Sequence, residues 1–167
     1  MAAVAVTAAL LACSPTFNWR EVRIESTGLK AMFPCKPDHA ARNVDVAGRP
    51  VSLQALACEA GGATFAVLFA DADPGSASEF LGRWQAAMLA GLHSTTAKQS
   101  KPFRPSGALE LPQSLQIAAD GKRAEGHPVQ GRAAFFAHGR QVFQAVVYAD
   151  ALRLEVTDPF FSGLVFE

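Results

Sequence analysis

One segment limits the architecture more than any other. Residues 63–70, ATFAVLFA, are apolar at every position except Thr64. In an extended chain successive side chains point to opposite faces, so Phe65, Val67 and Phe69 share one face and Ala66 and Leu68 the other. A strand of this kind needs cover on both sides and therefore belongs in the interior of a sheet with a layer packed on each face. With 167 residues, half of them hydrophobic, the chain is long enough to build one such domain around a real core.

The remaining pattern supplies the other strands and the layers. Residues 19–24 and 29–33 read as two short strands around Ser26-Thr27-Gly28, the second closed by Pro34 and Pro37. Residues 42–46 and 50–60 form the next pair, joined at Ala47-Gly48-Arg49, and Gly61-Gly62 turns the chain into the apolar strand. Later, residues 115–119, 122–125, 129–137 and 140–149 predict an antiparallel run with tight turns at Asp120-Gly121 and His138-Gly139. The polar, proline-containing stretch 95–112 reads as a long connection carrying one short strand around 101–104.

Two helices complete the layers. Over residues 76–92, Phe80, Leu81, Trp84, Ala87, Met88 and Leu92 recur at three- and four-residue steps, so one stripe faces the sheet while Arg83 and Gln85 face water. Ser76 and Glu79 have the spacing of a capping box. Near the end, Thr157 or Asp158 is placed to cap a short helix with Pro159 in its first turn and Phe160, Phe161 and Leu164 docking it. The expected fold is α+β: an antiparallel sheet with one main amphipathic helix and a short C-terminal one.

At the N-terminus, residues 2–12 have the length of a signal-peptide apolar region and end in Leu10-Leu11-Ala12-Cys13, which resembles the lipobox of bacterial lipoproteins. A small residue before the cysteine admits the peptidase, and the Cys13 thiol accepts the lipid through a thioether. No Lys or Arg precedes the apolar run, a departure from the usual pattern. On this reading residues 1–12 are the signal segment, 13–17 a tether and 18–167 a single domain held at a membrane facing the periplasm. Ser14 in place of an acidic residue favours the outer membrane. The apolar run is too short to span a bilayer as a helix, which takes about 20 residues.

Cys35 and Cys58 remain, and an oxidising periplasm favours their pairing across 23 residues. Two free buried thiols are the alternative, because geometry decides. Their spacing lacks the C-x-x-C form of a redox centre.

The strand-then-proline opening GLKAMFPCKP, the glycine-turned hairpin, the amphipathic helix, the β-meander and the closing TDPFFSGLVF together resemble uncharacterised proteobacterial lipoproteins with a Mog1/PsbP-like fold. The resemblance covers residues 18–167. It implies a sheet flanked by helices, and it carries no active site to transfer; partner binding and assembly roles elsewhere in the fold are an analogy.

The chemistry-bearing residues narrow the function. Lys+Arg and Asp+Glu are balanced at 15 each, without like-charge blocks, which argues against nucleic acid as a partner. His39, His93, His127 and His138 are not spaced as metal ligands relative to one another or to a cysteine, although His127 and His138 have the potential to approach across the meander. No nucleophile elbow, zincin motif, P-loop or dinucleotide fingerprint is present, so no catalytic residue and no cofactor is expected. Phe135, Phe143 and Phe161 are candidates to line a pocket for a small apolar ligand, with simple core packing as the alternative. Arg20, Arg23, Lys30, Arg132 and Arg140 are strand-borne cations expected on a solvated face or guarded edge. The leading expectation is a non-catalytic module that binds an envelope protein while anchored to a membrane by lipid; the alternative is an apolar-ligand carrier.

Overall fold

The computed structural model describes residues 15–46 and 49–167. Cys13, the segment 1–12 and the expected turn residues Ala47 and Gly48 lie outside the described residues. In chain order the elements are β1 (Arg20–Ile24), β2 (Leu29–Phe33), β3 (Asp38–Val46), β4 (Arg49–Ala60), β5 (Ala63–Asp71), α1 (Ala77–Gly91), β6 (Gln99–Pro102), β7 (Leu115–Lys122), β8 (Pro128–His138), β9 (Gln141–Ala149), α2 (Leu154–Ser162) and β10 (Val165–Phe166).

The fold is α+β. A seven-stranded sheet runs in the order β3-β4-β5-β9-β8-β7-β6, and a three-stranded sheet in the order β1-β2-β10. All of these strand pairings are antiparallel. The apolar strand β5 lies between β4 and β9, as its two-faced pattern requires. Phe65, Val67 and Phe69 join a core with Phe33 and Leu29 of the small sheet and Phe160 and Phe161 of α2. Ala66 and Leu68 pack on the other side, where Leu81, Met88 and Leu92 come from α1 and the residue after it.

A disulfide joins Cys35, just after β2, to Cys58 on β4, with their Cα atoms 6.0 Å apart. It therefore ties the small sheet to the large one, closing a loop of 23 residues; in the chain-entropy account such a loop contributes about 3 kcal/mol by restricting the unfolded chain.

Local signals are overridden at five places. Ser76 is the N-cap of α1, but its hydroxyl donates to the Asp73 carbonyl and Glu79 accepts from Arg83, so no capping box forms. The tight turn that ends in Gly75, at φ 79°, claims the serine for itself. Of the helical stripe, Leu81, Met88 and Leu92 are buried and Ala87 is exposed, while Gln85 is half-buried and donates to the Gln113 carbonyl instead of facing water.

Asp120-Gly121 is not a turn either. β7 continues to Lys122, and the chain reverses at Ala124-Glu125-Gly126, so residues 122–125 are not a strand. A glycine stands at 121 because a Cβ there would lie 2.1 Å from the Leu92 carbonyl oxygen. That oxygen accepts a hydrogen bond from the Lys122 N–H at 3.0 Å, so the end of α1 lies directly on the strand. The β8–β9 turn is Gly139-Arg140, one residue later than expected, with His138 paired to Gln141.

The C-terminal helix starts earlier than its cap-like residues suggest. α2 begins at Leu154 after the N-cap Arg153, and Pro159 lies inside it. Thr157 is 1% exposed and faces the sheet, which requires a helical turn before it.

Candidate functional site

The helix α2 has nine residues, a length of about 13 Å, whereas seven strands at about 4.8 Å spacing span about 29 Å. On the β6–β7 side of the face it covers, an open groove of about 880 Å³ is left. Gln116 and Asp120 of β7 and Gln130 and Arg132 of β8 form its floor, Leu152, Leu154, Asp158 and Phe161 one wall, and Lys98, Lys101 and Phe103 the rim.

Arg132 organises this groove. Its side chain is 14% exposed. One terminal nitrogen donates to the Asp158 carboxylate at 2.7 Å and to the Thr157 hydroxyl at 2.8 Å, and the other donates to the Gln116 side-chain oxygen at 3.0 Å. The guanidinium carbon lies 5.0 Å from the centre of the Phe161 ring, a cation–π distance. Arg132 is thus a latch between β8 and α2 rather than the solvated cation expected from sequence. The signal was its parity: on a strand it shares a face with Ala134 and Phe136, both in the core.

The rest of the floor is equally interlocked. Lys98 pairs with Asp120 at 2.9 Å, Gln130 donates to Asp120 at 3.1 Å, and the Gln130 oxygen accepts from the Leu152 N–H at 2.7 Å. Both carboxylates of the floor and wall are paired with cations, Asp120 with Lys98 and Asp158 with Arg132. Leu154 is 63% exposed beside these paired charges. Sequence reasoning did not single out this network, because its members come from β7, β8 and α2 and meet only when the sheet is assembled.

The three phenylalanines proposed to line a pocket do not converge. Phe135 faces α1, whereas Phe143 and Phe161 lie in the core on the opposite face of the sheet. Register explains it: Phe143 pairs with Phe136, not Phe135, and their rings stack 5.3 Å apart. Packing of this kind is the core alternative, and it removes the shared pocket.

The histidines are dispersed. His127 and His138 flank β8 at opposite ends, about 35 Å apart at the rise of an extended strand, so they do not approach one another. The His138 ring stacks on Phe166 at 4.2 Å. Among the described residues no three His, Cys, Asp or Glu side chains group closely enough to hold a metal ion.

The other strand-borne cations divide. Arg140 is exposed in its turn, and Arg20 donates to the Asn18 carbonyl. Lys30 and Arg23 both reach the Glu167 side chain, Arg23 at 2.6 Å, with Glu21 also beside Lys30 at 3.4 Å. The hydrogen bond from Lys30 holds the Glu167 carboxyl below its ordinary range, and the same bond holds the Lys30 amine above its own. Burial raises the Tyr148 phenol.

No family model matches the chain, and no curated protein matches it.

Proposed function

We propose that the chain is a lipoprotein acylated at Cys13, anchored in the outer membrane and facing the periplasm, whose Mog1/PsbP-like body is a non-catalytic module that binds another envelope protein. The lipobox-like run ending at Cys13 supports the address. The groove beside α2 carries the binding role. Its floor is a network in which Arg132 is paired with Asp158 and Lys98 with Asp120, so it offers a preorganised amphipathic surface. Preorganised side chains lower the ordering cost of association, and Phe161 and Leu154 supply apolar contact at its wall.

The test is a photocrosslinking amino acid placed at Lys101, on the rim, in the full-length protein expressed in its own envelope. A discrete crosslinked protein is expected, lost when Leu154→Asp is added and reduced when Cys13→Ala releases the body from the membrane. A crosslinking pattern indistinguishable from that of a reporter at Arg140, in a turn outside the groove, overturns the assignment.

A further inference from the structure

The geometry points to one end of the body as a lipid-facing surface: the end formed by the Gly61-Gly62 turn, the 123–127 turn and the first residue of α2, Leu154. This inference rests on acylation of Cys13 and adds to it an orientation.

Phe17 anchors the start of the body. Its ring lies on Gly61 so closely that a Cβ there would be 2.4 Å from Phe17 Cζ. It also stacks on Trp19 at 6.2 Å, and Trp19 in turn meets Phe65 of the core edge-on at 6.1 Å. The point where the chain leaves the body toward Cys13 is therefore fixed at this turn. Between Cys13 and Phe17 there are four residue steps, at most about 14 Å even when fully extended.

Strand register gathers the other parts of the same end. Ala63 pairs with Ala149, Ala149 with Gln130, and Lys122 with Pro128. The Leu152 N–H is bonded to Gln130, which places the start of α2 at this end as well. Gly139-Arg140 lies at the other end, since β5 runs from Ala63 beside Ala149 to Asp71 beside Gln141. Nine residues of strand separate the ends, about 30 Å. A tether of about 14 Å cannot bring the far end to the bilayer while the near end stands off.

Leu154 stands at the edge where the groove wall meets the lipid-facing end. It is 63% exposed, among polar neighbours whose charges are already paired: Arg123 with Asp150, and Arg153 with Glu155. Charge attraction is therefore not what holds this end down. The acyl anchor sets the position, and an exposed leucine gains by entering the interface. The groove, walled by Leu154, then opens next to the bilayer, and a partner engaged there approaches along the membrane surface.

The experiment uses the full-length acylated protein in phosphatidylethanolamine–phosphatidylglycerol vesicles containing brominated lipid. Trp19→Phe and Trp84→Phe remove the native indoles, and a single reporter is introduced by Leu154→Trp or by Arg140→Trp. Loss of fluorescence is expected at position 154 and none at 140. Equal quenching at the two positions, or greater quenching at 140, overturns the orientation. Hydrogen exchange on otherwise unaltered protein, acylated against Cys13→Ala, gives the same reading without touching the core: added protection at residues 61–62 and 123–127 supports it, and protection confined to 139–140 overturns it. Intact mass of the same sample separates the two levels. An unmodified Cys13 removes the tether and the orientation together, whereas an acylated Cys13 with an unquenched position 154 removes the orientation alone.

Discussion

The two faces of the large sheet are packed in different ways. On the α2 face Phe33, Phe65, Phe136, Phe143 and Phe160 are fully buried and meet through stacked and edge-to-face contacts with centroids 5.3 to 5.5 Å apart. On the α1 face β8 and β9 present Phe135 among the smaller Ala133, Ala137, Val142 and Val146, and glycines at 121 and 131 let the helix descend onto the backbone. One face is held by interlocking rings; the other sets a single fully buried ring, Phe135, among small residues that let the helix come close. Aromatic rings interlock and keep layers apart; small residues allow an approach close enough for a backbone hydrogen bond between the end of α1 and β7.

That contrast can be broken by substitution. The largest effect is expected on the aromatic face, where Phe143→Ala removes a ring touching Phe69, Phe136 and Phe166 and should cost about 3–5 kcal/mol in urea unfolding, as buried Phe truncations do. A loss under about 1 kcal/mol would show that rings on this face are not tightly packed.

On the α1 face the damaging change is an addition. Gly121→Ala sets a methyl 2.1 Å from the Leu92 carbonyl oxygen, a backbone atom that has nowhere to go, and is expected to cost about 1–3 kcal/mol. Gly131→Ala sharpens the point. Its nearest neighbours, Met88 Cε and Tyr148 Cε1 at 2.9 Å, are ends of side chains that can turn aside, so the same measurement should give a smaller loss than at Gly121.

The smallest effect concerns the outer side of the small sheet, where Glu167 joins Lys30 and Arg23. Because the Glu167 carboxyl is held low, its contribution is complete above the unfolded carboxylate value of about 4.3 and is lost as pH falls through the depressed folded value. Because the Lys30 amine is held high, its contribution is complete below about 10.4 and is lost as pH rises through the folded value. The melting temperature should respond to this cluster only outside about pH 5–10, and Glu167→Gln should flatten both flanks. An unchanged pH profile in that variant would show that the cluster contributes nothing to folding.

Much of the fold was legible because burial imposes a period. Residues 29–33 and 63–70 of the sequence reading recur as β2 and β5, and the stripe through Leu81 and Met88 recurs as the buried face of α1. The misreadings share a cause. Ser76, Gly121 and Thr157 each carry a strong local signal, for a cap, a turn and a helix start, and each is committed elsewhere by a partner distant in sequence or by the turn beside it. The groove was invisible for the same reason: Gln116, Arg132 and Asp158 are far apart along the chain and meet only in three dimensions.

The sequence by itself determined that a doubly covered apolar strand lies inside an antiparallel sheet, that one long helix packs on it, and that Cys35 and Cys58 were available to pair. Those properties follow from alternation and amphipathicity, which act residue by residue. Only the tertiary structure decided which face each phenylalanine joins, that Arg132 latches α2 to the sheet, and where the groove opens. Those depend on strand register and on the approach of one backbone to another, and a shift of a single residue in register reverses every side chain on a strand.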